Sequence, residues 1–408
     1  MSARIAKKGN NLYIVFERPG KNPKWVSVRK ELGLSRPAKM KEARELMTRL
    51  ESERLHGIFI EPNRVTVEQY LTEWLSNQKP RVKPKTYETW NNAAKTHLIP
   101  AFGTTLLSQL RPGKIKSLYA EKLKCGRGDK KAGGLSPRSV QIMHTVLKRA
   151  FQSAVEDELI RRNVVAAVKP PEQQRPRINY WTREQAKCFL DHTANRESKI
   201  KKIPYPDHHY HILFALALAT GMRRGELLGL RWSDIDYKKK IVHVRQNLVL
   251  TNNGVIIQDT TKTGKDRHLE VSQKVIDMLK IHRQRQTQMI MALGRPDEAV
   301  LNLVFLSQKG TPVNPRRLDR SLKGLITNLN KKLEEEAKKT ETEASPLPEI
   351  SMHCLRHTYA TMMIEQSMDY NTLADRLGHA RPSITMDKYG HVTPKMHSRA
   401  AVMTDDLL

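Results

Sequence analysis

Cysteine is scarce in this chain of 408 residues, which has three: Cys125, Cys188 and Cys354. They lie far apart in sequence, so neither a disulfide framework nor a zinc-binding spacing is predicted, and a reducing cytoplasm is the expected compartment. Long apolar runs are also missing. The longest covers about residues 212–219, far short of the roughly 20 residues that span a membrane. Because no apolar stretch follows the basic start of the chain, no signal peptide is predicted.

Acidic side chains are in deficit as well. There are 42 Asp and Glu against 72 Lys and Arg, and 72 − 42 gives a net charge of +30. A field of this sign and size attracts polyanions, nucleic acid first and anionic membranes second. A basic ribosome-like protein would show the same imbalance, so the charge alone does not decide. The hydrophobic content of 38% allows sizeable cores, and the length predicts two or three domains.

Residues 1–60 are predicted to form a small α+β DNA-binding module. Strands at 11–16 and 24–28 flank the turn Arg18-Pro19-Gly20, and a helix is expected from Pro37 onwards. Apolar residues at helical spacing would cover the strands, namely Met40, Ala43, Met47 and Leu50. The residues predicted to contact DNA phosphates are Lys7, Lys8, Arg18 and Lys24. A flexible basic arm is the alternative.

Residues 65–168 are predicted to be helical throughout. Thr66 is predicted to cap a first helix. Three further helices are predicted to begin at prolines, namely Pro84, Pro112 and Pro137. The apolar face of the first helix consists of Val67, Tyr70, Leu71, Trp74 and Leu75. A basic surface would make this domain a DNA clamp, with contacts predicted at Lys83, Lys85 and Arg138. A helical bundle without a ligand fits the periodicity equally well. The proline-rich stretch 169–180 is predicted to be a linker.

Residues 181–408 are predicted to form a mixed α/β, mainly α domain with a C-terminal tail. An apolar helix ends at Thr220-Gly221, and strands are expected at 241–245, 255–259 and 268–271. Asn253-Gly254 is interpreted as the hairpin turn between the first two strands. Later, 331–339 is a charged helix extension and 340–348 a flexible insert. The whole chain is thus predicted to be multidomain and mostly α.

Four short segments of the last domain carry candidate chemistry. In the first, Arg223 and Glu226 are three residues apart on one helical face, where a carboxylate can fix a guanidinium that binds phosphate. In the second, Thr261–Arg267, Lys262 lies on a predicted hairpin tip, from which it could donate a proton. An exposed ion pair and a basic surface turn are the alternatives. The neighbours Arg224 and Lys265 compete for the same roles.

The third and fourth segments follow the same logic. His353 and Arg356 are three residues apart and would present an imidazole and a second guanidinium to one anion. Leu377-Gly378-His379 is followed ten residues later by Tyr389. A tyrosine has an ordinary pKa near 10, so it needs several cations around it to attack at neutral pH. Taken singly, each segment also fits ordinary surface or core residues.

Taken together and in this order, the four segments resemble those of the tyrosine recombinases of the phage and mobile-element integrase group. The segment 66–121 resembles that family's SAM-like core-binding domain, and residues 1–60 its arm-binding module. The resemblance implies that Tyr389 attacks a DNA phosphodiester and forms a 3′-phosphotyrosyl intermediate, without metal, ATP or other cofactor. By the same resemblance, the other roles are phosphate clamp for Arg223 and Arg356, general acid for Lys262, acid or base for His353, phosphate hydrogen bond for His379 and orientation of Arg223 for Glu226.

The family also implies partners. Double-stranded DNA with attachment sites is the expected substrate, bound by a homo-tetramer on two duplexes, with an excisionase or host DNA-bending protein as a further candidate partner. The tail at 395–408 would dock on a neighbouring subunit or fray. Tyr359 is the poorer nucleophile, because it follows Arg356 inside an amphipathic helix. A type IB topoisomerase and a non-catalytic DNA-binding protein are the alternative functions, and a metal-dependent nuclease is disfavoured by the missing carboxylate cluster.

Overall fold

The chain divides into two units, Met1–Gln174 and Arg175–Leu408, in the computed structural model. The residues that the structure describes are 3–18, 21–28, 37–55, 64–126, 133–173, 179–195, 198–200, 203–205, 209–258, 266–294 and 302–390. The predicted tail at 395–408, Lys262 and Lys265 lie outside them, as do the side chains of Arg18 and Lys24.

The first unit begins with an antiparallel sheet of three strands, β1 (Ala3–Lys8), β2 (Asn11–Arg18) and β3 (Lys21–Ser27). Strand β1 was not predicted, because its sequence has a single large apolar residue, Ile5, among basic ones. That residue pairs with Ile14 of β2 and packs on the buried core of the sheet. Pairing with the next strand therefore makes a strand of a segment whose sequence is typical of a polar arm.

Helix α1 (Met40–Leu55) covers this sheet and begins three residues later than predicted. The backbone N–H of Lys39 donates to the Glu42 carboxylate over 2.7 Å and so closes the first turn. Ala43 and Leu46 are buried, whereas Met40 is 47% exposed. The expected covering face was therefore wrong at Met40 and correct at Ala43.

The rest of the first unit is helical. The helices are α2 (Val67–Gln78), α3 (Pro84–Ala93), which continues through a π-helical turn (Ala94–Leu98) into α4 (Ile99–Phe102), then α5 (Pro112–Lys124) and α6 (Pro137–Glu156). Thr66 and Gln69 form a reciprocal capping box, and all five apolar residues predicted for α2 are buried. The four predicted helix starts are confirmed, because a capping oxygen or an N-terminal proline marks each of them.

The second unit carries most of the helices. They are α7 (Arg183–Ala194), α8 (His211–Thr220), α9 (Arg224–Gly229), α10 (Gln273–Leu293), α11 (Pro315–Thr340), α12 (Met352–Glu365), α13 (Tyr370–Leu377) and α14 (Pro382–Tyr389). Helix α8 holds the longest apolar run of the sequence and is buried on nearly every side, as expected for a central helix. Among the described helices, none combines the length and the apolar character that crossing a bilayer requires.

Three small sheets accompany these helices in the described part of the unit. The strands are β4 (Ser198–Ile200), β5 (Ile203–Tyr205), β6 (Ile235–Asp236), β7 (Ile241–Val244), β8 (Asn247–Thr251), β9 (Gly254–Gln258) and β10 (Arg267–Glu270). Strand β9 forms its hairpin with β8, and β7 pairs with β6 and β10 instead. The predicted hairpin between 241–245 and 255–259 was therefore wrong, because Arg245-Gln246 breaks one apparent strand into two.

The segment around 340–348 also differs from the prediction. Its second half is fixed: Leu347 is buried, and its backbone exchanges two hydrogen bonds with the Asn330 side chain, at 2.8 and 2.9 Å. The indole N–H of Trp181 donates to the carbonyl of Pro348. The end of the predicted flexible insert is thus part of the core of the second unit.

Candidate active site

The first site residue, Arg223, lies in the turn between α8 and α9. Gly221 ends α8 in the left-handed conformation, with φ +64°, and Arg223 occupies the position immediately before α9. The backbone N–H of Arg223 donates to Glu226 over 2.9 Å, and its Nη1 donates to the other oxygen of the same carboxylate over 2.7 Å. Arg223 thus lies at the start of the helix, and Glu226 fixes both its backbone and its guanidinium.

Glu226 is shared with a second arginine that was not among the predicted site residues. Arg267, the first residue of β10, donates Nη2 and Nη1 to the two carboxylate oxygens over 2.7 and 3.2 Å. Burial raises the pKa of Glu226, but the Arg267 hydrogen bonds and the charges of Arg267 and Arg223 outweigh it and bring the pKa to about 2. The carboxylate is therefore ionised and holds two guanidinium groups at once. Arg267 is the last residue of Thr261–Arg267, the segment that the sequence analysis selected for Lys262, and this position was the one signal for it in the sequence.

Arg356 comes from α12 and is the most deeply buried cation of the site, with 2% exposure. Its Nη1 donates to the carbonyl of Gly221 over 3.0 Å, and its Nη2 to that of Leu377 over 2.6 Å. Burial and the neighbouring Arg223 lower the pKa of Arg356 to about 9, so the group is still a cation at neutral pH. Two bonds use only part of the five N–H donors of a guanidinium. Donors are left over for an anion.

His379 is positioned by the end of α13. Gly378 ends this helix with φ +64°, and its carbonyl accepts a hydrogen bond from Arg223 Nη2 over 2.8 Å. The Nδ1 atom of His379 lies 2.7 Å from the Thr385 hydroxyl on α14. Burial, together with Arg356 and other nearby cations, lowers the pKa of His379 to about 3. His379 is therefore neutral at physiological pH and can act as a hydrogen-bond donor to phosphate.

Tyr389 is the last residue of α14 and is 7% exposed. Burial raises the pKa of its phenol to about 12, although the charges of Arg356 and Arg223 act in the opposite direction. Its Oη atom lies 2.6 Å from Nδ1 of His357 on α12. The phenol is thus protonated in the free protein and hydrogen-bonded to an imidazole that was not among the predicted site residues.

His353 and His357 lie one helical turn apart on α12. Their ring centroids are 4.8 Å apart and the rings are nearly perpendicular. His353 is exposed, whereas His357 is buried. The i, i+4 spacing of the two histidines was the signal that could have revealed His357 beforehand.

The structure separates most of the competing candidates. Arg224 points away and pairs with Asp319 of α11, and both side chains are about two-fifths exposed. Tyr359 is buried, and its hydroxyl accepts a hydrogen bond from Arg376 over 2.6 Å. Lys262 lies outside the described residues. The strands on either side of its segment, β9 and β10, belong to different sheets, so the prediction of a hairpin tip was wrong.

The residues predicted to contact DNA in the first unit lie on its surface, where the structure describes their side chains. Lys7, Lys8, Lys83 and Arg138 are exposed, and Lys85 forms a surface ion pair with Glu88 over 2.9 Å. Lys83 precedes α3 and Arg138 lies in the first turn of α6. Their contacts with DNA stay predictions.

The charges of the second unit's site do not balance. Three guanidinium groups, those of Arg223, Arg267 and Arg356, surround one carboxylate, and 3 − 1 leaves +2. A buried site with this surplus favours a group that gains negative charge during a reaction, as a phosphoryl group does. Among the described residues, no three His, Cys, Asp or Glu side chains are close enough to hold a metal ion together.

Two family models match this chain. Residues 180–396 match the phage integrase family, and residues 66–123 match its N-terminal SAM-like domain. Similar proteins include the ICEBs1 integrase of Bacillus subtilis, 24% identical over 368 residues and 90% of each chain. An XerC-like tyrosine recombinase of Caldanaerobacter subterraneus is 28% identical over 285 residues and 67% of each chain.

Solved structures with the same fold include the Tn1549 transposon integrase in complex with transposon right end DNA. It covers 84% of this chain and 99% of that one, at 21% identity and a TM-score of 0.64. A lambda integrase tetramer bound to a Holliday junction covers 93% and 96%, at 17% identity and a TM-score of 0.53. At these identities, the likeness concerns the fold.

Proposed function

The chain belongs to the phage integrase family, and from this premise we propose that Tyr389 is the nucleophile with which it cuts DNA. The protein is a tyrosine recombinase, an enzyme of site-specific DNA recombination. Family membership therefore decides for recombination and against the two alternatives, a type IB topoisomerase and a non-catalytic DNA-binding protein. Its site residues can accordingly be assigned to the steps of strand cleavage and rejoining.

One observation carries the assignment of Tyr389. Its phenol is buried next to a cluster of fixed cations, and Arg356 and Arg223 both act on its pKa. Attack of Oη on a DNA phosphorus forms a 3′-phosphotyrosyl bond and releases the 5′ oxygen. Because the new bond conserves the energy of the old one, the 5′ hydroxyl can later reverse the step without ATP. The hydroxyl of Tyr359 is instead engaged by Arg376, outside the group of Arg223, Arg267 and Arg356 that share the site of Glu226.

Arg223 and Arg356 are proposed to clamp the non-bridging oxygens of the reacting phosphate. Carbonyls of Gly221, Leu377 and Gly378 hold the two guanidiniums without using all their donors. A planar guanidinium with free parallel N–H groups matches two phosphate oxygens. Because the groups are already fixed, they need no reorganisation when negative charge develops. Glu226 would position Arg223, and His379 would add a further hydrogen bond.

Two roles follow from the family resemblance and the motif. We assign Lys262 as the general acid that protonates the departing 5′ oxygen, and His353 as an acid or base near the tyrosine. His353 lies at the exposed start of α12, where an incoming DNA backbone can approach it. A lysine with an ordinary pKa near 10.4 carries the proton it would donate at neutral pH.

The proposed substrate is double-stranded DNA with attachment sites of a mobile element, bound by four copies of the chain on two duplexes. Relatives of this chain carry the names of integrases and of a transposon enzyme, and a solved tetramer of the same fold holds a Holliday junction. An excisionase or host DNA-bending protein would set the direction, and the tail at 395–408 would dock on a neighbouring copy. Since the substrate is DNA, we place the protein in the cytoplasm.

The nucleophile is tested by trapping the covalent intermediate. A DNA sequence that the protein binds is first selected from a pool of random sequences. A nicked duplex of this sequence is then incubated with the protein and a metal chelator. The adduct is then counted on a denaturing gel. The wild type is expected to form it and Tyr389→Phe to form none. Tyr359→Phe is the matched control, because it removes another buried phenol of the same apolar cluster and should leave the adduct in place.

Each outcome has a meaning. An adduct that persists in Tyr389→Phe and vanishes in Tyr359→Phe would show that Tyr359, and not Tyr389, is the nucleophile. Loss in neither variant would place the nucleophile elsewhere in the chain. Binding without any wild-type adduct would contradict the cleavage activity itself on that DNA.

A further inference from the structure

Tyr389 must lose a proton when it attacks, and the pair of Tyr389 and His357 suggests where that proton goes. The Oη–Nδ1 distance of 2.6 Å is that of a strong hydrogen bond. His357 is itself 7% exposed, so the contact is shielded from bulk water. None of the roles assigned above uses this histidine.

We propose that His357 is the general base of DNA cleavage, accepting the Tyr389 proton on Nδ1 as Oη attacks phosphorus. This inference rests on the proposed role of Tyr389. The Oη–H bond breaks and its proton moves to Nδ1; the Oη–P bond forms, and the bond from phosphorus to the 5′ oxygen breaks. The departing oxygen takes its proton from the general acid proposed above, Lys262. In rejoining, the imidazolium of His357 returns the proton to the tyrosine.

The protonation state of His357 suits this task. Its pKa is lowered to about 4, first by burial and then by the charges of His353, Lys388 and Arg356. The ring is therefore neutral at physiological pH, and one of its two nitrogens is unprotonated. The phenol is protonated, so it donates and Nδ1 accepts, with the ring hydrogen on Nε2. The charged and titratable groups that act on the phenol of Tyr389 itself are Arg356, Arg223 and Cys354. A bound phosphodiester brings negative charge that favours the imidazolium, which the free protein disfavours.

The geometry also gives His353 a separate place. Its ring packs edge to face on that of His357, one turn back along α12. It is His357 whose ring nitrogen lies within hydrogen-bond distance of the reacting oxygen. A base must lie within hydrogen-bond reach of the proton that it takes, and His357 meets that condition already in the free protein.

The test compares His357→Asn with the wild type in single-turnover cleavage of the nicked duplex described above, between pH 5.5 and 9.5. Asparagine keeps a hydrogen-bond acceptor but takes no proton. At pH 7 we expect the variant to cleave about 10²-fold more slowly or worse. Its rate relative to the wild type should rise as pH rises, because the variant depends on phenolate formed by solvent. Titrations of groups common to both proteins cancel in this ratio.

A variant-to-wild-type ratio that stays constant with pH would overturn the proposal, since a purely structural role lowers the rate by the same factor throughout. Equal rates would overturn it too. Replacing Tyr389 by a fluorinated tyrosine, whose phenol is more acidic, gives a second measurement and should shrink the defect of His357→Asn. An undiminished defect speaks against a proton acceptor, even if the variant is less stable.

Two controls distinguish a failure of the role proposed for His357 from a failure of the proposed function. His268→Asn, at an exposed histidine of the same unit, should match the wild type. If the wild type forms no adduct, or Tyr389→Phe still does, the proposed function fails first. If the adduct depends on Tyr389 and the ratio is flat, only the role of His357 is lost.

Discussion

Glu226 shows at the scale of one residue how the site is held together. Its side chain is fully buried and touches two guanidiniums, Arg223 and Arg267, each within 2.7 Å. A buried ion pair is costly to desolvate, and removing one partner is worse, because the other charges are left buried and uncompensated. The carboxylate of Glu226 therefore positions Arg223 and also stabilises the folded protein.

Glu226→Gln should destabilise the second unit at pH 7 by about 3 kcal/mol. The pKa of Glu226 is about 2 in the folded protein against an ordinary 4.5. Since the folded pKa is depressed, the stability that it contributes is present above about pH 4.5 and is lost as the pH falls towards 2. Urea unfolding of both proteins should therefore differ strongly at pH 7 and progressively less below pH 4.5.

The matched control is Asp319→Asn, which breaks the pair of Arg224 and Asp319. Both of these side chains are about two-fifths exposed, so water screens their charges and the change should stay within about 1 kcal/mol. A control effect as large as that of Glu226→Gln would contradict the importance given to burial.

At the scale of an element, the turn after α8 decides where two arginines lie. Gly221 has φ +64°, its carbonyl binds Arg356, and Arg223 follows two residues later. A Cβ atom on Gly221 would lie 2.3 Å from the Tyr359 ring. Glycine is required here for its backbone conformation and for space at the same time.

Gly221→Ala should lower the free energy of unfolding by about 1 kcal/mol for the left-handed backbone and by about 1–3 kcal/mol more for overpacking. DNA cleavage should fall as well, because the carbonyl that holds Arg356 is displaced. Gly294→Ala is the control: Gly294 ends α10 with φ +61°, and its added Cβ would meet nothing within 4 Å. It should show the backbone cost alone, so equal losses in the two variants would argue against the clash.

At the scale of the whole molecule, the net charge of +30 governs binding to DNA. Each phosphate contact releases counterions, so affinity falls steeply as salt rises. Contacts of this kind add affinity without reading sequence. The basic residues predicted in the first unit should therefore change the salt dependence more than the choice of site.

Lys83→Ala should weaken binding to specific and unrelated DNA alike. It should also reduce the slope of log K against log salt by about 1 in magnitude. Fluorescence anisotropy between 50 and 300 mM salt measures both quantities. Lys338→Ala is the control, another exposed lysine, near the end of α11, and it should leave the slope unchanged. An unchanged slope in Lys83→Ala would remove this residue from the DNA surface.

Local signals in the sequence predicted where several of the helices begin. Capping residues such as Thr66 and Thr182 act within one turn and begin their helices as predicted, and so do Pro84, Pro112 and Pro137. The helix predicted from Pro37 begins only at Met40. The left-handed end of α8 at Gly221 is likewise a local property. The spacing of Arg223 from Glu226 predicted their ion pair for the same reason.

Only the tertiary structure decided the pairings between distant segments. The pairing of β10 with β7 and the anchoring of Leu347 by Asn330, 17 residues earlier in the chain, depend on partners far along the chain. So do the sharing of Glu226 by Arg267, 41 residues away, and the contact of His357 with Tyr389, 32 residues away. Periodicity and capping report on neighbours within one turn. Which buried groups meet is set by the packing of helices and strands against each other.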